Sequence, residues 1–148
     1  MQKLQRLFKN HHDTIHFGKS GVVKPQWIKE VEAELGFALP KSYVWAITEY
    51  QFIDFKGFGE VKSIAPPEFR EVADSDILYT YKVNLENGFL KNNQLSLLES
   101  DEEFYYFLVE PNLDDNEYKV YKRDLYLTED VLFADNFTDF VEKIIAFL

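Results

Sequence analysis

Apolar residues recur along this chain at two spacings, and the switch between them outlines the fold. At the end of the chain Phe137, Phe140, Val141, Ile144, Ile145 and Leu148 fall at i, i+3, i+4, i+7, i+8 and i+11. That is one unbroken stripe of a 3.6-residue helix, and it predicts a C-terminal helix with this face on the core. Asn136 with Asp139 three residues on approximates a capping box, and Asp135 suits the positive end of the helix dipole. The same period links Trp27, Ile28, Val31 and Leu35. Pro25 fits the first turn of that helix, and Gly36 can take the left-handed conformation that closes it. Pro40 starts another helix, with Tyr43, Val44, Ile47 and Tyr50 on its buried face. Residues 2–12 predict a short first helix through Leu4, Leu7 and Phe8, and Gly18 to Gly21 predict a break. Asp76 to Glu86 predicts one more helix, with Ile77, Leu78, Tyr81 and Leu85 apolar and Asn87-Gly88 as its stop.

The remaining apolar segments are short and lack the helical period. Gly57 and Gly59 precede a predicted strand at Glu60–Ile64, which Pro66-Pro67 ends because proline cannot continue a ladder. Leu95–Leu98 predicts a short strand. Phe104–Val109, reading FYYFLV, is apolar on both faces, as a central strand covered on both sides must be. Tyr118–Lys122 alternates and predicts its antiparallel neighbour across a loop rich in Pro, Asn and Asp. Val131–Ala134 predicts one more strand. Helices first, strands in the middle and a helix last predict an α+β fold with a C-terminal amphipathic helix on the sheet. No repeat and no low-complexity linker interrupts residues 1–148, which predicts one domain without a second.

Composition is consistent with a real core. The chain has 148 residues, 46% of them hydrophobic, with 14 Phe and 9 Tyr. No apolar run approaches the roughly 18 residues of a membrane span. The first residues, MQKLQRLFKNHHD, lack the apolar stretch and small-residue cleavage site of a signal peptide. With no cysteine, disulfide and thiol chemistry are excluded, and a cytoplasmic location is the expectation.

Charge changes the picture more. Residues 1–98 hold 12 acidic and 12 basic side chains, whereas residues 99–148 hold 14 acidic and 4 basic. The entire formal net charge of −10 therefore sits in the last third. Such a field repels nucleic acid and attracts basic partners. The other reading is a solvated face that maintains solubility. Its densest blocks are Glu99-Ser100-Asp101-Glu102-Glu103 and Asp114-Asp115-Asn116-Glu117. If FYYFLV pairs with 118–122, the two blocks lie near opposite ends of that hairpin.

Catalytic and metal chemistry find little support. His12 and His16 are four apart and would share a helix face, with His11 beside them, but no HExxH pattern accompanies them. Solvated histidines near the N-terminus are the expectation, and no metal is assigned. Residues 114–117 lack the alternating acidic order and the glycine of a calcium loop. No phosphate-binding glycine loop, serine elbow or cysteine nucleophile is present, so no enzyme activity and no cofactor is expected. Trp27 and Trp45 fall at helical spacing and read as core. An exposed member of the set Tyr105, Tyr106, Tyr118 and Tyr121 would be a candidate interface anchor.

The order Trp27, Ile28, Glu34-Leu35-Gly36, Leu39-Pro40, Tyr43 resembles the opening signature of the SUKH superfamily, the SMI/KNR-like domains. The chain from Phe104–Val109, through Tyr121-Lys122-Arg123-Asp124 and Ala134-Asp135-Asn136-Phe137, is similar to that family's ending. The resemblance covers roughly residues 25–148 and implies a twisted, mostly antiparallel sheet flanked by helices. Many relatives place an Asn-Gly-Gly-like turn after the second helix, where this chain has Gln51-Phe52-Ile53-Asp54. A positive-φ turn sits badly on Phe52 or Ile53, so the turn is expected to be displaced or longer, with 51–59 a divergent loop. Many bacterial members are immunity proteins. The resemblance thus implies a chain that neutralises a cognate protein toxin by stoichiometric occlusion, and the acidic last third points to a basic one such as a nuclease. The alternative is a regulatory or scaffold module with a non-toxin partner. On charge, the expected partner-binding residues are Glu99, Asp101, Glu102, Glu103, Asp114, Asp115 and Glu117. Neither nucleic acid nor membrane is an expected partner, and the free chain is expected to be monomeric.

Overall fold

The computed structural model describes residues 1–127 and 129–148. In chain order its elements are α1 (Gln2–Asn10), β1 (Ile15–Phe17), α2 (Pro25–Leu35), α3 (Lys41–Tyr50), β2 (Ile53–Phe55), β3 (Gly59–Glu60), α4 (Ile77–Glu86), β4 (Gln94–Glu99), β5 (Glu103–Leu108), β6 (Lys119–Asp124), β7 (Asp130–Ala134) and α5 (Phe137–Ile145). The fold is α+β, with helices packed against antiparallel strands.

Apolar residues on both faces make β5 the strand that both sides of the sheet must cover. Tyr105 meets Phe140, and Phe107 meets Tyr43 and Phe137, all in the main core. Phe104 and Tyr106 point the other way, into a smaller cluster with Leu90 and Phe89. Full burial of each such ring is worth about 1.5–3 kcal/mol. β5 pairs with β4 on one side and with β6 on the other, both antiparallel.

The strands form two sheets, in the orders β1-β2-β3 and β4-β5-β6-β7. Val61 joins them. It bridges antiparallel to Leu98, and its N–H donates to the Ile53 carbonyl at 2.9 Å. The strands therefore follow one another from β1 to β7, and among the described residues these two are the outer edges.

The helices close as the periodicity predicts. Gly36 takes φ 83° at the end of α2. The Asn136 side chain accepts the Asp139 N–H at 2.9 Å and caps α5, whose Phe137, Phe140, Val141 and Ile144 are buried. The predicted stripe fades at Leu148 because the helix has ended at Ile145. Trp27 and Trp45 lie at the margin of the core: Trp45 stacks on Phe8 and Trp27 lies under the Arg70 guanidinium.

Two expectations need correction. The strand predicted at Glu60–Ile64 is regular only over Gly59–Glu60. Beyond it the backbone changes partner at each step: Lys62 N–H donates to the Leu97 carbonyl and Ser63 N–H to the Ser75 carbonyl, both at 2.8 Å. Residues 51–59 are not a loop, since they contain β2 and the start of β3. The tight turn falls on Gln51, at φ 65° and ψ −64°, with Phe52 N–H donating to the Tyr50 carbonyl at 2.7 Å. This turn lies against Gly18, where an added Cβ would stand 2.5 Å from the Tyr50 oxygen. Gly18 is thus required by close approach of two backbones.

Asp76 ties α4 to this junction. Fully buried, its carboxylate accepts the Ala65 N–H at 2.8 Å and the Tyr79 N–H at 2.9 Å. Desolvation raises its pKa above the ordinary carboxylate value, opposed by these two hydrogen bonds. Asp76→Ala removes a helix cap and strands the part-buried Ala65 N–H, so we expect a loss of about 2–3 kcal/mol in urea denaturation, with Asp76→Asn losing less.

Candidate protein-binding surface

Antiparallel alternation places every second turn at the same end of the sheet. The β2–β3, β4–β5 and β6–β7 turns share one end, and the β5–β6 loop lies at the other. The β4–β5 and β6–β7 turns are joined, and the β2–β3 turn packs on β5 beside them. Phe58 packs on the Tyr105 ring at 5.9 Å between centroids, and Leu125 N–H donates to the Glu102 carbonyl at 3.0 Å. Glu103 stands opposite Asp124 in the β5–β6 ladder.

This end gathers four of the seven acidic residues expected at a partner site: Glu99, Asp101, Glu102 and Glu103. They differ in how far they are committed. Glu99 lies 3.7 Å from Lys62 Nζ and accepts from Ser96 Oγ at 3.3 Å. Glu103 accepts a short hydrogen bond from the Tyr105 hydroxyl and lies 4.0 Å from Lys122 Nζ. Among the described residues neither Asp101 nor Glu102 makes an ion pair, and both are exposed. Carboxylates that hold no internal partner are the ones available to a basic surface.

The other three lie at the far end, as the hairpin geometry predicts, and two of them are used internally. Glu117 accepts the Ser42 N–H at 2.9 Å and the Ser42 hydroxyl at 2.7 Å. It caps α3, whose own N-cap, Pro40, offers no side-chain acceptor. Asp115 accepts from Lys41 Nζ at 2.8 Å. Asp114 is exposed. Asp115 and Asn116 hold left-handed backbone at φ 60° and 52°, a conformation that Asn and Asp tolerate in turns.

The structure adds residues to the acidic end that charge counting missed. Leu125 and Tyr126 in the β6–β7 turn are exposed, Tyr126 to 77%. The Asp124 carboxylate accepts the Tyr126 N–H at 2.9 Å and holds that turn in shape. Leu125, Tyr126 and Leu127 include none of the Gly, Pro, Asn or Asp residues that mark a turn in sequence. Of the four tyrosines singled out, Tyr105, Tyr106 and Tyr118 are buried, and Tyr121 is partly exposed. Tyr121 stacks on Tyr106 at 5.9 Å. Beside them Arg123 clamps Asp130 through Nε at 2.6 Å and Nη2 at 2.8 Å, and the Tyr106 hydroxyl donates to Asp130 at 2.6 Å. The Arg123 hydrogen bond holds the Asp130 carboxyl below its ordinary pKa. Burial, and then Asp130, push the Tyr106 phenol well above its own.

His12 and His16 do not share a helix face, because α1 ends at Asn10 and His16 lies on β1. His11 Nδ1 is 2.7 Å from the Leu7 carbonyl, and the His12 ring packs on Phe17. Among the described residues, no three His, Cys, Asp or Glu side chains are grouped to hold a metal ion. No helix among them is long and apolar enough to cross a membrane. A groove of about 350 Å³ beside α4 includes Arg70 and Lys82, but their cationic groups already face Glu30 at 3.2 Å and Glu34 at 2.7 Å.

Two outcomes test these assignments. Glu117→Ala should cost about 1–2 kcal/mol in denaturant unfolding, the worth of a helix cap. Asp130→Asn should cost about 1–2 kcal/mol at pH 7, where Asp130 is ionised and its charged hydrogen bonds are intact. Because the folded pKa is depressed, this stability is present above the unfolded value near 3.9 and disappears as pH falls through the folded pKa. The gap between wild type and Asp130→Asn should therefore close below about pH 4 in thermal melts followed by circular dichroism.

A comparison with curated proteins finds no match. A family model does match, over residues 23–143, and that span contains α2 to β7 whole and most of α5. By that match the chain belongs to the SMI1/KNR4 family (SUKH-1).

Proposed function

We propose that this chain is an immunity protein that binds a cognate protein toxin and neutralises it stoichiometrically, without catalysis. Family membership supports a protein-binding role. The observation that carries the reading further is the convergence of uncommitted carboxylates and exposed apolar side chains on one end of the sheet. Asp101 and Glu102 stand next to Leu125 and Tyr126 there, on turns joined by a backbone hydrogen bond. An apolar anchor supplies contact energy once water is excluded, and surrounding charge supplies steering and selectivity. The complementary surface is basic and has an apolar socket. A nuclease active site, which must attract phosphate, carries such charge.

In this reading Glu99, Asp101, Glu102 and Glu103 form the contact end. Asp114, Asp115 and Glu117 contribute only long-range field, since they lie beyond the opposite end of β5 and two of them serve α3. Occlusion requires a contact surface that is rigid before binding. The hydrogen-bonded turns and the Phe58–Tyr105 contact meet that need.

The test is co-expression of the adjacent candidate toxin with and without this chain, followed by affinity capture. Protection with one-to-one recovery is the expected result, and toxicity that persists beside abundant chain would overturn the proposal. With the partner in hand, Asp101→Lys combined with Glu102→Lys should slow association about tenfold at low ionic strength and flatten its salt dependence. Asp114→Lys, at the other end, should change the rate by less than about twofold in the same stopped-flow measurement.

A further inference from the structure

The strand order ends at β7, and no described strand pairs with its outer side. Proteins close such edges with charge, proline, a bulge or a covering group, because an open edge pairs with any strand that fits. The second half of β7 is closed by a bulge and a covering group. The β6–β7 register shifts so that Val120 faces Ala134 and Tyr121 faces Leu132, which leaves Phe133 bulged. Lys143 Nζ then donates to the Phe133 carbonyl at 2.6 Å. The first half has neither device. Val131 and Leu132 are 41% and 50% exposed, and as strand neighbours they project to opposite faces. At the other margin of the sheet β1 is only three residues long, with Ile15 buried.

Charge decides what fits. Glu129 precedes β7 and Asp135 follows it; both are exposed and, among the described residues, neither makes an ion pair. A second copy pairing antiparallel about Leu132 would set Asp130 opposite Ala134 and Glu129 opposite Asp135, twice over by symmetry. It would also bring together two chains of formal charge −10. Like charges across a strand pair are destabilising. A strand with a basic residue at each end and β-branched residues between them meets a carboxylate at each end and apolar side chains in the middle.

We propose that β7 accepts an extended, antiparallel strand from a protein partner, apolar at its centre and basic at both ends. The main-chain ladder supplies affinity, Val131 and Leu132 supply one apolar contact on each face, and Glu129 and Asp135 set the register. The inference rests on the chain being a protein-binding module, but not on the partner being a toxin. Leu132 is continuous through Tyr121 with the outer sheet face, and Leu125 and Tyr126 lie in the turn that precedes β7. One partner can therefore use the turn and the edge together.

The test needs no natural partner. The isotope-labelled full chain is titrated with the blocked peptide Arg-Thr-Val-Val-Val-Thr-Arg and followed by amide chemical shifts and hydrogen exchange. Shifts and slowed exchange should concentrate in Asp130–Ala134. Replacing both arginines by glutamate, or a central valine by proline, should weaken binding about tenfold or more. Leu132→Lys in the chain should do the same, with the spread of its spectrum showing that it is folded. No shifts at millimolar peptide, shifts centred away from β7, or indifference to the proline would overturn the proposal. So would a doubled mass in sedimentation with β7 protected in the absence of peptide, which would make a second copy the occupant. Peptide binding without protection from a toxin would sink the immunity reading and leave this one standing. Protection by a chain whose β7 is indifferent to the peptide would do the reverse.

Discussion

Everything in this fold is arranged around the need of one strand to be covered twice. β5 places Tyr105 and Phe107 on one face and Phe104 and Tyr106 on the other, all nearly inaccessible. The first face is covered by α5 and α3, and the second by the Phe89–Leu90 segment that follows α4. Leaving either pair of rings in water would forfeit several kcal/mol, which is comparable to the net stability of a small domain. That constraint puts β5 in the interior of its sheet and makes β4 and β6 its obligatory neighbours.

The functional geometry follows from this placement. Because β4, β5 and β6 alternate in direction, the turn before β5 and the turn after β6 meet at one end, while the β5–β6 loop goes to the other. Acidic residues that form one block of charge in sequence are thereby divided. One group rims the joined turns beside Leu125 and Tyr126. The other reaches α3, where Glu117 does for Ser42 what Pro40 cannot. A net charge says nothing about this division; the direction of strands does.

The edges of the sheet are unequal for a related reason. On the β4 side the chain adds Val61 and then β3, so that margin is continued by further strands. On the β6 side only β7 follows before the chain turns into α5, and Lys143 from that helix reaches one carbonyl of it. The part of β7 nearest the acidic end is left with exposed apolar side chains, so the open edge and the acidic end adjoin.

Much of the architecture was legible from residue order alone. α2 with its Gly36 stop, α4 with Asn87-Gly88 and α5 with its Asn136 cap rest on local chemistry; α2 and α4 appear within a residue or two of where their patterns predict, and α5 starts at its cap but ends three residues before Leu148. FYYFLV read as a doubly covered strand because its run of apolar residues leaves no polar face. β1 and β2 were not legible: three residues each, they hold too few positions to show alternation, and they exist only because they pair with each other. The positive φ at Gln51 and the small residue at Gly18 likewise depend on two distant backbones meeting. In the candidate site, the sequence by itself determined how much negative charge there is and that it brackets β5. Only the tertiary structure decided which carboxylates stay uncommitted, that Tyr126 stands beside them, and which strand ends the sheet. Those properties belong to contacts between segments far apart in the chain, and local pattern carries no record of them.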